Sequence, residues 1–389
     1  MFKSKNLCLC CLIMVAAVQC GLAATITVEK DGSGDFTQVQ PALDAAASGD
    51  TVRIGPGEFT ELIPSYIPGY AWDVEVCAYV RVPNLTIIGA GAGQTILGPT
   101  TYRGSTQTFS PKCMVWLEGN DRIVEGITFR NCYEGIHATH GPVFIDDCEF
   151  RDNGGLGVIW HAEDSGGWIR NSNFSSNILG NIGLGMLGPG SNIIIENCIF
   201  DNSEISIKNT KGTSILNCEM KNVRIGVKIS AGARCILNNC NVYNCSIIGV
   251  ALANVGPHCD IFNCNISGDE AALAAYAEAT LFASNTIFNG GSFATLYFQN
   301  SGPAVIQNSH ILRSGPYSVK CTHPEAYGLN THDMTGNYWG TTDPDLVASW
   351  IWDQNDDPAN FSIVNFLPMA NGPVPTEKKS FGSVKALFR

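Results

Sequence analysis

Apolar and polar residues alternate over short stretches along most of this chain. Clear examples are "ISIK" (205–208), "IGVKI" (225–229) and "IGVAL" (248–252). A period of two residues is typical of β-strands, whereas helices repeat their apolar positions every three to four residues. Clusters of Asn, Gly and Ser separate the stretches and indicate tight turns. The pattern therefore predicts many short strands.

A longer pattern is superimposed on this alternation. Its clear copies are "IENCIF" (195–200), "ILNCEM" (215–220), "LNNCNV" (237–242) and "IFNCNI" (261–266). With weaker copies included, the equivalent positions are Cys148, Ser172, Cys198, Cys218, Cys240, Cys264, Asn285 and Ser309. A repeat of roughly 23 residues indicates a solenoid, and each repeat has room for three strands and three turns. Because the Leu-x-x-Leu-x-Leu frame of leucine-rich repeats is absent, we predict an all-β fold, a single-stranded right-handed parallel β-helix.

The repeat predicts two rows of stacked side chains. The position before the Cys is occupied by Asp147, Asn171, Asn197, Asn217, Asn239, Asn263, Ser284 and Asn308. Asn tolerates left-handed backbone, and stacked Asn side chains can hydrogen-bond from coil to coil. The Cys row itself is either a metal or redox site or a row of small apolar side chains. Because it lacks the close paired spacing of zinc ligands, we favour core packing.

Several other Cys residues could form disulfides. Cys235 and Cys259 each precede a repeat Cys by five residues, so they are expected on adjacent coils. Cys77 and Cys113 lie in the two irregular early segments and are a second candidate pair. Spacing alone does not fix these pairings.

The ends of a β-helix need covers, since they expose unpaired strand edges. Within "KDGSGDFTQVQPALDAAASGDTVRIGPGEFTE" (30–61), Val39, Leu43 and Ala46 form one apolar stripe. Thr37 and Gln40 fit a capping box, and Gly49 is a stop signal. We therefore predict an N-terminal capping helix, followed by the first strand, "TVRI".

The ends of the chain have a different composition from the repeats. Residues 1–24 have a basic start, an apolar run of about a dozen residues and then small residues, which indicates a cleaved secretory signal. We expect the β-helix over 25–370 and a loosely held tail over 371–389. Later apolar runs are too short to cross a bilayer. The expected location is secreted or in the cell envelope, as a monomer.

Charge narrows the range of partners. The formal net charge is −12, and nucleic-acid binding requires clustered Lys and Arg to contact phosphates. We therefore expect no nucleic-acid partner. An acidic glycan would also be repelled unless local Lys residues or bound cations reverse the field.

The opening segment 30–61 resembles the start of pectin methylesterases and of other secreted proteins with the pectin-lyase fold, and the resemblance covers roughly residues 25–370. It implies a protein that binds or processes an extracellular polysaccharide, as a lyase or a hydrolase. The known active-site motifs of pectin methylesterases, polygalacturonases and classical pectate lyases are absent, so no catalytic residue is carried over. A non-catalytic glycan-binding or adhesive protein, or a structural cell-envelope protein, remains the alternative.

Two lysines are candidates for binding substrate. In this fold, ligands usually lie along the outer face of one sheet. We expect a row of small outward residues there, namely Gly135, Gly157, Ser206, Gly226 and Gly249, which would leave a shallow groove. His137, Lys208 and Lys228 are expected on the next row, with the two lysines one coil apart. They either bind an anionic glycan or are simply solvated.

A cluster of His, carboxylate and Trp residues is the candidate for catalysis. His137, His161 and Asp164 are expected on two consecutive coils, and His paired with a carboxylate can transfer protons near neutral pH. Trp160 is expected to stack on a sugar ring. The alternative is that these residues decorate the turns of a polar coil.

One segment has part of a calcium-binding pattern. Asp353, Asn355 and Asp357 have the alternate spacing of the first half of an EF-hand loop, but its later Gly and Glu are missing. The segment is either a weak calcium site or a polar turn. No other metal or cofactor is expected.

Overall fold

The described residues wind into a solenoid with three long sheets of mostly parallel strands. The computed structural model describes residues 23–65, 74–101, 113–119, 121–139, 141–161, 166–177, 182–189 and 193–374. A complete coil contributes one strand to each sheet, so neighbouring strands come from successive coils. This is the parallel β-helix that the repeat predicts.

The first sheet has fourteen strands in the described residues. Along the solenoid they are Thr25–Val28, Thr51–Ile54, Thr86–Ile88, Arg122–Glu125, Val143–Asp146, Gly167–Arg170, Ile193–Glu196, Thr213–Leu216, Arg234–Asn238, His258–Phe262, Thr280–Ser284, Ala304–Gln307, Asn330–Asp333 and Ser362–Asn365. The second sheet has eleven described strands. They are Gly57–Phe59, Thr95–Leu97, Thr128–Arg130, Glu149–Arg151, Asn173–Ser175, Ile199–Asp201, Glu219–Lys221, Asn241–Tyr243, Asn265–Gly268, Ile287–Gly290 and His310–Arg313.

The third sheet has thirteen strands in the same part of the chain. They are Ile63–Ser65, Val74–Val80, Cys113–Glu118, Glu134–Thr139, Leu156–His161, Ile182–Leu187, Glu204–Lys208, Ile225–Ser230, Ile248–Ala253, Ala271–Tyr276, Ala294–Gln299, Tyr317–Thr322 and Ile351–Trp352. Only the pairing of the first two of these is antiparallel among the described strands. In the parts of the chain that the structure describes, three short helices lie outside the sheets, namely Val39–Ala45, Glu325–Tyr327 and Pro344–Ala348.

The helix Val39–Ala45 covers the N-terminal end of the solenoid, as predicted. Val39 and Leu43 are buried and pack over the interior of the first coils. The predicted capping box is wrong, because no side chain caps this helix. Gln40 instead binds the main chain of Tyr79, accepting its N–H at 2.7 Å. The helix also follows a first strand, Thr25–Val28, which pairs with "TVRI".

The interior contains rows of like side chains, one from each coil. Phe129, Phe150, Phe174 and Phe200 stack with ring centroids 5.1, 4.7 and 4.5 Å apart. The five Cys residues of the repeat are also buried, and burial raises the pKa of the Cys148 thiol to about 12. A thiol that stays protonated behaves as a small apolar group. The packing interpretation of the Cys row therefore fits the structure.

The two candidate disulfides have different surroundings. Cys235 and Cys259 lie directly opposite each other on neighbouring strands, and both are free thiols. Cys77 Sγ lies 3.7 Å from Cys132 Sγ, a neighbour that the sequence does not suggest. The side chain of Cys113 lies outside the described part of the structure.

The Asn row has the left-handed backbone that the sequence predicts, with φ between 49° and 56° from Asp147 to Asn308. Two ladder bonds are direct: Asn197 Nδ2 donates to Asn171 Oδ1 at 3.3 Å, and Asn239 Nδ2 donates to Asn217 Oδ1 at 2.7 Å. The predicted equivalence of Asn285 with the Cys row is wrong by one residue. Asn285 belongs to the Asn row, with φ of 54°, and Thr286 occupies the Cys position.

Most of the predicted signal and of the predicted tail lies outside the described residues. The predicted signal, 1–24, lies outside the described residues except for its last two positions. Of the predicted tail, only 371–374 is described, and His310 Nε2 lies 2.8 Å from the Val374 carbonyl oxygen. Within the described ranges, the helices are all too short to span a membrane.

The Phe stack provides a test of the interior. Phe174→Ala removes a buried ring with a neighbour on each side, and we expect a loss of about 3–5 kcal/mol in the free energy of unfolding. Urea unfolding followed by circular dichroism measures it. Val255→Ala is the control, because Val255 is exposed and should change the free energy by less than about 0.5 kcal/mol. Equal stability of the two variants would contradict the packing described here.

Candidate functional site

The outer face of the third sheet carries the candidate residues. Alternation along the strand Glu204–Lys208 directs Ile205 and Ile207 into the core, where both are fully buried. Glu204, Ser206 and Lys208 therefore point outward. This face combines carboxylate, hydroxyl and ammonium groups on one strand.

The strand register places the two lysines on adjacent coils, but not on the same row. Ser206 pairs with Lys228, and Lys208 pairs with Ser230. The lysines are thus one strand apart and offset by two residues, which corrects the expected single row. Lys208 is exposed and Lys228 is half-buried.

The glycine row does not line the groove, contrary to the sequence prediction. A Cβ at Gly135 would lie 2.4 Å from the Gly157 carbonyl oxygen and 2.9 Å from the Phe150 ring. A Cβ at Gly226 would lie 2.4 Å from Val242 Cγ1. These glycines sit at the corner where each coil enters the third sheet, and they allow close packing against the core.

The predicted histidine pair is assembled by neighbouring strands. His137 pairs with Ile159 and His161 pairs with Thr139, and the two imidazole rings stack with centroids 5.1 Å apart. His137 also stacks on Trp116 at 4.2 Å.

A carboxylate accompanies this pair, and it is that of Glu134. His137 Nδ1 lies 2.6 Å from Glu134 Oε2, and His137 is only 3% exposed. Asp164, the third predicted catalytic residue, lies outside the described residues.

Trp160 does not lie on the outer face. It is 1% exposed and belongs to the main core. Its ring reaches the corner at Gly167, where an added Cβ would be 2.6 Å from Trp160 Cη2. A ring in this position is unavailable to a sugar, so the structure corrects the expected stacking role.

Glu204 is the residue that sequence reasoning missed. It is 8% exposed, and burial raises the pKa of its carboxyl group to about 7 although the positive charges of Lys228 and Arg224 lower it. In the described part of the chain, Glu204 forms no ion pair within 4 Å. The alternation in "EISIK" already directs Glu204 to the face of Lys208, and that signal could have identified it.

The predicted calcium segment uses its carboxylates within the chain. Asp353 Oδ1 accepts the Asn355 N–H at 2.8 Å, and Asp353 Oδ2 accepts the Val364 N–H at 2.8 Å. Asp357 Oδ1 accepts the Ala359 N–H at 3.0 Å. These bonds are those of a polar turn. Among the residues that the structure describes, no three His, Cys, Asp or Glu side chains are grouped to hold a metal ion.

Comparison of the sequence with known proteins supports the fold. Residues 113–261 match the family described as "Right handed beta helix region". Two curated Arabidopsis thaliana proteins, probable pectinesterase/pectinesterase inhibitors 17 and 6, are 35% identical over 105 residues and 32% identical over 116 residues. The aligned parts cover 27% and 28% of this chain and 18% of each relative. The chain thus spans about a fifth of the length of these curated relatives.

Solved structures with a similar fold include two modules from Azotobacter vinelandii. The A-module of mannuronan C-5 epimerase AlgE6 superposes with a TM-score of 0.62 at 16% identity, covering 86% of this chain and 94% of the module. The A-module of AlgE4 has a TM-score of 0.50 at 13% identity, covering 85% and 91%. The prediction of a right-handed parallel β-helix with the pectin-lyase-like fold is thereby confirmed.

The proton affinity of Glu204 can be measured directly. We expect its carboxyl group to titrate near pH 7 in carbon-13 NMR of protein labelled at Glu side chains, with Glu204→Gln identifying the signal. Lys228→Ala should raise this pKa further, because the Lys228 charge favours the ionised carboxylate. Lys208→Ala serves as the control and should shift it less. Titration of Glu204 in the ordinary range of Glu would contradict the described environment.

The same pKa has a consequence for stability. Because folding raises the pKa of Glu204 from about 4.5 to about 7, the folded state holds this proton more tightly, and the free energy of unfolding falls as pH rises through that window. Glu204→Gln removes this dependence. We therefore expect the variant to gain stability relative to wild type between pH 4 and pH 8 in thermal melts. An unchanged difference between the two proteins at both pH values would argue against a buried, shifted carboxyl group.

Proposed function

We propose that the protein acts on an acidic polysaccharide by removing the proton next to a uronate carboxylate, as a lyase or an epimerase. The observation that carries the proposal is the buried Glu204 carboxyl group, with its raised pKa, beside Lys228 and Arg224. A general base or acid works best when its pKa lies near the operating pH. Lys208 extends the positive charge along the same face.

The chemistry follows from these charges. The ionised fraction of Glu204 takes the C5 proton of a uronate unit, and the electron pair of that bond moves toward the uronate carboxyl group. Lys228 and Arg224 stabilise the negative charge that builds up there. Elimination follows when the electrons form the C4–C5 double bond and the C4–O4 bond breaks, with the leaving O4 oxygen taking the proton that Glu204 has accepted. Epimerisation results instead when a water molecule gives a proton to the opposite face of C5 and the hydroxide that remains takes the proton from Glu204.

Hydrolysis fits this face less well. Glycoside hydrolases typically use two carboxyl groups about 5–9.5 Å apart. Glu134 and Glu204 occupy one row with Leu156 and Ile182 between them, so three strand spacings, about 14 Å, separate their backbones. A single carboxyl group beside cationic side chains suits proton abstraction better.

The comparisons support a polysaccharide substrate. The matched proteins are named for mannuronan and for pectin, and this chain has the same kind of solenoid as the first. A secreted or cell-envelope location remains part of the proposal. Cell fractionation with an antibody against the native protein tests the location, and retention in the cytoplasm would refute it.

A second candidate for the catalytic group lies three strands away from Glu204. The His137–Glu134 pair, with His161 stacked beside it, has the composition of a proton-transfer site. Both sites are buried, with His137 3% and Glu204 8% exposed, and the positive charges of Lys228 and Arg224 favour Glu204. Loss of activity in His137→Ala with His161→Ala, while Glu204→Gln remains active, would transfer the catalytic role to this pair.

Activity assays test the main proposal. The purified mature protein is incubated with acidic and neutral polysaccharides, with and without calcium. Mass spectrometry and ultraviolet absorbance detect unsaturated uronates, and proton NMR detects epimerised units. We expect Glu204→Gln to lower the rate by about 10²–10⁴-fold. Glu196→Gln is the matched control, since Glu196 lies on the first sheet and pairs with Arg170.

Each outcome of the assay has a defined meaning. Full activity of Glu204→Gln would overturn the assignment of this residue. Water-added oligosaccharides would establish a hydrolase instead. Binding by co-sedimentation without any product from wild type would favour the non-catalytic, adhesive protein.

A further inference from the structure

A pocket lies at the C-terminal end of the third sheet, away from Glu204. It has a volume of about 340 Å³ and is formed by the last coils together with the loop that follows Trp352. Five strand spacings, about 24 Å, separate the strand Glu204–Lys208 from the strand Tyr317–Thr322. The pocket is therefore distinct from the proposed reaction site, and its size suits one or two sugar rings.

Several polar groups around this pocket have hydrogen-bonding capacity that the described residues do not use. The side-chain amides of Gln299 and Asn300 line it, and neither forms a hydrogen bond to another described residue. Asp357 uses one carboxylate oxygen to accept the Ala359 N–H, which leaves the other available. The pocket thus offers amide donors and acceptors together with a carboxylate acceptor.

His323 adds a buried imidazole ring to the lining. It is 7% exposed, it lines the pocket, and its Nδ1 is buried without a hydrogen bond. Buried polar atoms are normally paired, and the main chain of Tyr327 and Gly328 lies beside this ring. Burial lowers the pKa of His323, and a neutral imidazole offers one donor and one acceptor. Asn360 holds the segment in place, because its Oδ1 accepts the His323 N–H at 3.0 Å.

The remaining lining indicates the class of ligand. Trp352 provides an aromatic wall, and Thr322 provides a hydroxyl group. The described residues that line the pocket include no Lys or Arg, and Asp357 is the one among them with a full charge at neutral pH. A uronate would be repelled here, whereas a neutral ring with several hydroxyl groups has partners on every side.

We propose that this pocket binds a neutral glycosyl unit, with Trp352 against the ring and Gln299, Asn300 and Asp357 bonding its hydroxyl groups. The proposal goes beyond the reaction at Glu204 and does not require it. The protein would then contact glycans at two places with opposite charge preferences: uronates near Lys228 and a neutral unit at the end of the sheet.

Binding to defined sugars tests the pocket. The probes are methyl glycosides of glucose, galactose, mannose and N-acetylglucosamine, and linear trisaccharides of the same sugars. Methyl galacturonoside is the charge control. Isothermal titration calorimetry gives affinities, and saturation-transfer NMR gives contacts. We expect at least one neutral probe to bind with a stoichiometry of one, and methyl galacturonoside to bind at least tenfold more weakly.

Variants locate the binding. Gln299→Ala should weaken it at least tenfold, and because Gln299 is exposed the change should not affect folding. Trp352→Ala is a second variant with the same expected loss. Gln354→Ala is the matched control, since Gln354 lies in the same loop without lining the pocket, and it should bind like wild type. Glu204→Gln should also bind like wild type, so the outcome is independent of the proposed reaction.

Three results would overturn the proposal: no binding of any neutral probe, binding of the galacturonoside as tight as that of the neutral probes, or unchanged binding by both Gln299→Ala and Trp352→Ala. A failure of this kind leaves the activity test at Glu204 unaffected. Conversely, full activity of Glu204→Gln would leave the pocket assignment in place.

Discussion

Main-chain hydrogen bonds between successive coils are the constraint on which this structure depends. Apart from the antiparallel pair at the start of the third sheet, the strands inside each sheet pair in parallel with the strands of the preceding and following coils, mostly without a shift of register. Side chains at equivalent positions therefore stack directly on one another. The Phe stack, the buried Cys row and the left-handed Asn turns all follow from this one arrangement. A residue suited to one coil is suited to the next, and the sequence repeats for that reason.

The same register determines which side chains are neighbours on the outer face of the third sheet. Several positions on this face carry ionisable residues that depart from the repeat. Positions that would be small or apolar in a purely structural coil are occupied by Glu204, Lys228 and the His137–Glu134 pair. Burying a carboxyl group with so few partners is costly. Glu204 keeps a proton near neutral pH because its surroundings favour the neutral form. A residue that lowers stability in this way at a surface suited to ligands has the character of a functional group.

The sequence predicted the fold well, because the repeat length and the alternation of apolar residues are consequences of coil stacking. It also predicted the capping helix, the buried Cys row and the pairing of coils that brings His137 and His161 together. It failed where the direction of a side chain depends on the corners of the coil. The glycine row turns inward there, Trp160 reaches the core, and Asn285 shifts one repeat by a residue. Glu204 was overlooked because its burial and its cationic neighbours depend on the exact register of the third sheet. The C-terminal pocket depends on a loop that closes over the last coils, which no repeat pattern describes.

Places on different strands of the third sheet are separated by a whole number of strand spacings, each about 4.8 Å. The distance from Glu204 to the C-terminal pocket is set by the number of coils between them and not by the shape of any single loop. Gain or loss of one repeat between them would change the distance from Glu204 to the C-terminal pocket by one strand spacing and leave the local structure of each site intact. A protein built in this way can be adapted to glycans of different length by a change in the number of coils, without a change in either binding surface.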